Sequence, residues 1–136
     1  MANKLNLDQS QRVDIVCRKN DTFALKLQIS DENGTAVNLS SGWSFNMDVR
    51  TADTDNELAT NRIMSTSNTG IGQITLDNTG YTSGEVIFTC SADNMGVAAG
   101  LYVYDIQQVD TSADPDIVET ILYGTFQINE DITITA

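Results

Sequence analysis

The sequence predicts an all-β domain, an antiparallel β-sandwich of about seven to nine strands. Most apolar residues lie in short runs in which they alternate with polar residues, which is the period of a half-buried strand. Clusters of Asn, Asp, Gly and Ser separate these runs at the short spacing typical of a sandwich. The runs also differ in length, which fits a sandwich better than a barrel built from uniform strands.

The longest β-prone stretch, residues 100–129, predicts a hairpin around which the rest of the chain is organised. Both halves are rich in β-branched and aromatic residues. Pro115, the only proline, lies in the acidic link between them, where no strand hydrogen-bond donor is needed. Gly124 predicts a bulge or the close approach of another backbone. The residues expected on the buried face are Tyr102, Tyr104, Ile106, Leu122, Phe126 and Ile128.

Three strand patterns stand out in the first fifty residues. Residues 13–18 alternate loosely and predict an edge strand. Residues 23–29 alternate cleanly, and the turn signal at 31–34 predicts a hairpin whose returning strand lies in 36–42. Residues 43–50 have the sharpest pattern, with one face in water, so we expect an antiparallel sheet. The inward side chains of this strand are predicted to be Trp43, Phe45, Met47 and Val49.

The following residues predict a long polar excursion, 51–72, with one short strand around Ile63. Two further strands are expected at 73–76 and 84–90. Ser91 is then placed to cap a single helical turn that Gly96 closes, and this turn is expected to plug one end of the sandwich.

The charge of the chain limits what it can bind. It carries 19 acidic and 7 basic residues, a net charge of −12, and no histidine. Because such a surface repels phosphate, we expect no nucleic-acid partner. Without histidine, catalysis would have to rest on carboxylates. Asp48 and Asp105 are predicted to point outward from strand centres as satisfied surface groups, and no phosphate-binding loop is found, so we expect no enzyme activity.

Metal, cofactor and membrane sites are also not expected. The acidic stretch 53–57 has carboxylate side chains at alternating positions, as a Ca²⁺-binding loop does. Leu58, however, replaces the glycine that an EF-hand loop needs, so a plain solvated loop is favoured over a Ca²⁺ site. The same reading is favoured for the second acidic cluster, Asp110, Asp114, Asp116 and Glu119. Cys17 and Cys90 are read as buried small hydrophobes rather than as a disulfide. No apolar run is long enough for a membrane span, and we expect synthesis in the cytosol.

Several short motifs together resemble a known family. They are Arg-Lys-Asn-Asp-Thr at 18–22, Asp-Glu-Asn-Gly at 31–34, Val-Asn-Leu-Ser at 37–40, Val-Arg at 49–50, Ala-Gly-Leu-Tyr-Val-Tyr-Asp at 99–105, Leu-Tyr-Gly-Thr-Phe-Gln-Ile at 122–128 and Asp-Ile-Thr at 131–133. Their order and spacing resemble the immunoglobulin-like N-terminal domain of tailed-phage baseplate upper proteins and related tail-fibre proteins, over about residues 10–135. The resemblance implies an immunoglobulin-like sandwich that docks a fibre or receptor-binding module onto the virion.

In that family a helical or fibrous segment usually follows, whereas this sequence stops at Ala136, which favours a free-standing adaptor, collar or decoration subunit. We therefore expect a non-enzymatic structural protein located in the virion, a homo-oligomer that contacts other virion structural proteins of the tail, baseplate or collar. Two alternatives are a capsid decoration protein and a carbohydrate-binding or receptor-binding module. The last would need aromatic side chains such as Trp43 or Tyr102 on an exposed face.

The chain is expected to be one domain, 1–136, with arms at 1–11 and 130–136 outside the sandwich. In the second arm isoleucine alternates with threonine, a β-prone pattern that is a liability if it stays unpaired. Our hypothesis is that this arm adds a strand to the sheet edge of a neighbouring subunit or another virion protein. The alternative is that it completes its own sheet. The assembly contacts expected from the hypothesis are Ile132, Thr133, Ile134 and Thr135.

Overall fold

The computed structural model describes residues 10–51 and 62–132, which form nine strands and two short 3₁₀ turns. The 3₁₀ turns are Tyr81–Ser83 and Asp93–Met95. The strands are β1 Gln11–Arg12, β2 Ile15–Arg18, β3 Phe23–Gln28, β4 Trp43–Arg50, β5 Arg62–Ser65, β6 Thr75–Asp77, β7 Glu85–Cys90, β8 Gly100–Asp110 and β9 Ile117–Asn129.

The strands form two sheets. The larger has the order β1-β9-β8-β4-β5, with β2 also pairing to β9, and the smaller has the order β3-β7-β6. Two sheets, one of three strands (β3, β7, β6) and one built around β4, β8 and β9, that enclose one core are the arrangement of an immunoglobulin-like sandwich. The predicted all-β, immunoglobulin-like fold is confirmed.

One pairing departs from the antiparallel prediction. Both β1 and β2 run parallel to β9, with Gln11 opposite Leu122 and Arg18 opposite Asn129. Antiparallel pairing is enforced by a tight hairpin between successive strands, and no hairpin links these two ends of the chain. The edge strand predicted over 13–18 forms over Ile15–Arg18 only, and strand structure begins at Gln11, inside the arm predicted over 1–11.

The core lies between the sheets and follows the predicted alternation closely. In β4, Phe45, Met47 and Val49 are buried while Trp43 is partly buried, and the outward residues of the strand are partly or fully exposed. Phe126 of β9 meets Phe23 of β3 edge to face at 5.5 Å between ring centroids, so one aromatic pair links the two sheets.

The β8–β9 hairpin is confirmed, and it resolves the alternatives left open at Gly124. The register shift falls between Ile106 and Gln107, away from this glycine. A Cβ at Gly124 would lie 2.4 Å from the backbone oxygen of Val13 and 2.8 Å from Oδ1 of Asp14. Gly124 therefore permits the close approach of the N-terminal segment.

The strand predicted to return from the 31–34 turn was wrong. The turn itself forms, because the Asp31 carboxylate accepts hydrogen bonds from the backbone N–H groups of Asn33 and Thr35. Beyond it the chain makes a single bridge, Ser30 to Ala36, and then crosses towards the larger sheet. Leu39 is almost fully buried, and its N–H donates to the carbonyl of Tyr81, so core packing takes this segment out of the sheet.

The later elements match their predictions. The short strand around Ile63 is β5; β6 overlaps the predicted range 73–76 and ends one residue beyond it, and β7 lies within 84–90. The turn predicted after Ser91 is a 3₁₀ turn in which the Ser91 hydroxyl oxygen accepts a hydrogen bond from the Asn94 N–H at 3.3 Å. Met95 from this turn is fully buried in the core.

Candidate interaction surfaces

The outer face of the larger sheet is the broadest regular surface of the described residues. Side chains alternate along each strand, so the register assigns every strand residue to the core side or to this face. One row across the sheet, for example, joins Tyr123, Asp105, Asp48 and Ser65. We call this surface the outer face, and its members include Arg12, Val16, Arg18, Asn46, Asp48, Arg50, Arg62, Ser65, Leu101, Val103, Asp105, Gln107, Tyr123, Thr125 and Gln127.

A polar recess of about 160 Å³ lies in the centre of the outer face. Asp48 and Asp105, which the sequence placed outward separately, are direct partners across β4 and β8 here. The recess is lined by Asn46, Asp48, Arg50, Asp105 and Gln107.

The contacts of Asp48 are those of a structural carboxylate. It accepts a hydrogen bond from the Ser65 hydroxyl at 2.5 Å and forms an ion pair with Arg50 at 3.0 Å. Ser65 is fully buried and its hydroxyl oxygen also accepts from the Ser67 N–H, so this hydroxyl is not accessible to a substrate. The arrangement fastens β5 to β4 and gives no nucleophile that a base could activate.

The acidic loop between β8 and β9 shows the hydrogen bonds of a turn. The Asp110 carboxylate accepts from the backbone N–H and the hydroxyl of Ser112, at 3.0 and 2.6 Å. Within residues 10–51 and 62–132, no group of three or more acidic or cysteine side chains is placed to hold a metal ion. The other candidate stretch, 53–57, lies outside the described residues.

Both cysteines have free thiols. Cys90 is buried and Cys17 partly so, and in each case removal from water raises the pKa of the thiol to about 11. Such thiols are poor nucleophiles at neutral pH, which agrees with their interpretation as small hydrophobes. Among the described elements no helix has the length and apolar character to cross a membrane.

The aromatic side chains are mostly taken up by the core. Trp43 and Tyr102, the two residues whose exposure would favour a carbohydrate platform, are partly buried and pack against the core. The Tyr102 hydroxyl also donates to the backbone oxygen of Ala98 at 2.7 Å. Tyr123, on the outer face, is the one aromatic residue of the described ranges with substantial exposure, at 39%.

The C-terminal segment leaves the sandwich in a fixed direction. β9 ends at Asn129, whose oxygen accepts from the Lys19 N–H at 2.9 Å. The Arg18 guanidinium donates to the oxygen of Glu130, and the Asn20 amide donates to the Asp131 carboxylate at 3.4 Å. Ile132, the next residue, is 89% exposed. The other three residues predicted as assembly contacts, Thr133, Ile134 and Thr135, lie outside the described residues.

No family model matches the chain, and no curated protein matches it. Solved structures similar to it include the ZIG-8–RIG-5 IG1–IG1 heterodimer, at 8% identity and a TM-score of 0.30 over 94% of this chain and 89% of that one. A structure of VGSC beta subunits, from a study of multimeric cell-adhesive interactions, matches at 7% identity and a TM-score of 0.32 over 97% of this chain and 100% of that one.

Proposed function

We propose that this protein is a non-enzymatic structural subunit of a tailed-phage virion. It acts as an adaptor in the tail, baseplate or collar, and it docks onto other virion proteins through residues 130–136. The observation that carries the proposal is the exposure of Ile132 at the start of a segment whose direction is fixed by the end of β2.

The physical argument starts from Ile132. An isoleucine side chain contributes about 1.5–3 kcal/mol when it is fully buried, and at 89% exposure almost none of this is realised within its own domain. The residues after it alternate in the manner of a strand, and an added strand binds a sheet edge through main-chain hydrogen bonds. Because Arg18 and Asn20 already hold Glu130 and Asp131, less chain entropy is lost when the segment docks.

The described carboxylates support a structural role over a catalytic one. Asp48 is occupied by Ser65 and Arg50, and the Asp110 carboxylate organises its own turn. These contacts stabilise strands and loops, which is what a docking module requires of its polar residues.

Residue exposure also ranks the two alternatives. A carbohydrate-binding module would stack sugars on a platform of aromatic rings, and the outer face offers Tyr123 alone. Capsid decoration uses the same docking chemistry as tail attachment, so immunogold labelling of intact particles distinguishes these two: labels on the tail support the proposal, and labels on the head replace it with decoration.

The test of the docking segment replaces Ile132 by serine in the full chain. Ile132 is almost fully exposed, so we expect thermal unfolding to stay within about 0.5 kcal/mol of the parent. We also expect incorporation into particles, measured by immunoblotting of purified virions, to fall at least several-fold. The matched control is Ile71→Ser, because Ile71 is an exposed isoleucine, 57%, in the loop between β5 and β6.

A deletion of residues 130–136 completes the design. If the truncated chain folds and is absent from particles, the segment is the docking element. If Ile132→Ser and Ile71→Ser are incorporated equally, the docking mechanism is wrong. It is also wrong if the deletion unfolds the domain, because the segment then belongs to its own core.

A further inference from the structure

Within residues 10–51 and 62–132, one edge of β9 has no strand partner near the tip of the β8–β9 hairpin. β8 pairs with one side of β9 from Ile117 to Ile128. On the other side, β1 and β2 pair with β9 from Leu122 onward, and none of the described strands pairs with it over 117–121. We call this side of residues 117–121 the open edge.

The side chains at the open edge are partly apolar. Ile117 and Val118 are 51% and 54% exposed. Val118 is the direct partner of Val109 on β8, which is buried, so the two valines begin an apolar row that runs towards the open edge. A strand edge that carries exposed apolar side chains readily pairs with another strand.

The segment best placed to pair with this edge is the one that leads into β1. Residues 1–9, which lie outside the described residues, directly precede Ser10 and β1. β1 already runs parallel to β9, with Gln11 opposite Leu122 and Arg12 opposite Tyr123. Parallel strands advance in step, so each residue before Gln11 moves one position along the open edge. We propose that residues 6–10 continue β1 as a parallel strand paired with residues 117–121 of β9.

The apolar residues of this segment fit the apolar row. When the offset between β1 and β9 is carried back, Leu7 lies opposite Val118. Partners in a strand ladder share one face of the sheet, so Leu7 extends the row of Val109 and Val118. The contact removes apolar surface of both Leu7 and Val118 from water, which stabilises the added strand.

The charges of the segment fit the acidic link at the hairpin tip. At the same offset Lys4 falls between Asp114 and Asp116, where its ammonium group is attracted to both carboxylates. Asp8 falls opposite Glu119, a pair of like charges. Glu119 is exposed, so water screens most of this repulsion.

A segment of the same chain has an advantage over other occupants. Because residues 1–9 join β1 directly, their effective concentration at the open edge is at least roughly millimolar. A second copy would bring a chain of net charge −12 against the acidic hairpin tip. The C-terminal segment leaves β9 at Asn129, at the opposite end of the strand. The inference is independent of the virion proposal, since it rests on the register of β1 with β9.

The experiment is amide hydrogen exchange, resolved by residue with NMR, on the full chain and on a chain that lacks residues 2–9. Alternate N–H groups of a strand point to opposite neighbours, so about half of those in 117–121 point away from β8. We expect these amides to be protected in the full chain and to exchange at least about tenfold faster in the deletion. The amides of β4, which pairs with β5 and β8, should be unchanged.

Point variants test the register itself. Leu7→Ser removes the contact with Val118 and should speed exchange at the open edge several-fold. Leu101→Ser is the matched control, because Leu101 is an exposed leucine, 66%, at the other end of the β8–β9 pair, and it should leave these amides unchanged. Asp8→Lys replaces the like-charge pair with an opposite-charge pair and should slow exchange at the open edge.

Several results would overturn the proposal. Open-edge amides that exchange freely in the full chain do so, and so does protection that survives the deletion. If the deletion does not fold, the two leucine variants decide, and equal effects of Leu7→Ser and Leu101→Ser overturn the proposal. Protection that falls when the full chain is diluted about tenfold assigns the open edge to a second copy, and this result overturns it as well.

Discussion

Replacement of Gly124 by alanine tests how the N-terminal strands are attached to the sandwich. The new Cβ would lie 2.4 Å from the oxygen of Val13, whereas ordinary contacts begin at about 3.4 Å, so the two strands must separate by about 1 Å. Three hydrogen bonds cross at this point. The Val13 N–H donates to the oxygen of Tyr123 at 2.9 Å, the Thr125 N–H donates to the Asp14 carboxylate at 3.0 Å, and the Tyr104 hydroxyl donates to the oxygen of Val13.

A separation of that size lengthens all three donor–acceptor distances beyond those of a hydrogen bond. At about 1 kcal/mol each, the free energy of unfolding should fall by about 3 kcal/mol. Urea unfolding measures this change directly, and the melting temperature should fall by about 10 °C. The control is Gly34→Ala, at a turn glycine with φ 81° and open space around it, where the cost is the left-handed backbone alone, about 1 kcal/mol. A Gly124→Ala protein no less stable than Gly34→Ala would refute the close approach of the two strands.

Two further predictions concern pH. The hydrogen bond from the Thr125 N–H lowers the pKa of Asp14. The Asp14 carboxylate therefore stabilises the fold above its unfolded pKa near 3.8, and this stabilisation is lost as the pH falls below that value. In Asp14→Asn the free energy of unfolding should fall less steeply with decreasing pH over the acid range. Burial raises the pKa of Tyr104 to about 12, so stability is present below pH 10 and is lost as pH rises towards 12. Tyr104→Phe should be less stable by about 1 kcal/mol at neutral pH and should lose less stability over that alkaline range, as followed by urea unfolding at each pH; an unchanged alkaline slope would contradict the assignment.

The parts of the fold that depend on neighbouring residues were predictable. The inward positions of β4 follow from strict alternation, and the β8–β9 hairpin follows from two long β-prone halves around Pro115. In each case the signal lies within one strand or between successive strands, where sequence spacing and spatial spacing agree. The turn at Asp31 was found for the same reason.

The parts that depend on register were not predictable. The parallel pairing of β2 with β9 joins residues about 110 positions apart, and nothing in either segment specifies the direction of the other. The pairing of Asp48 with Asp105 needs the same information, because a shift of one residue would move each side chain to the other side of the sheet. The turn before Ala36 forms, but the strand predicted to follow it does not, because burial of Leu39 takes this segment out of the sheet.

The parallel edge of the larger sheet has a mechanical consequence. Since β1 and β2 run in the same direction as β9, the chain enters this pair at Gln11 and leaves it at Asn129, at opposite ends. A tension applied between the two termini therefore pulls the strands past each other along their length, and their hydrogen bonds resist together instead of opening one after another. Tension between the termini therefore loads the domain in the direction in which this edge is hardest to separate.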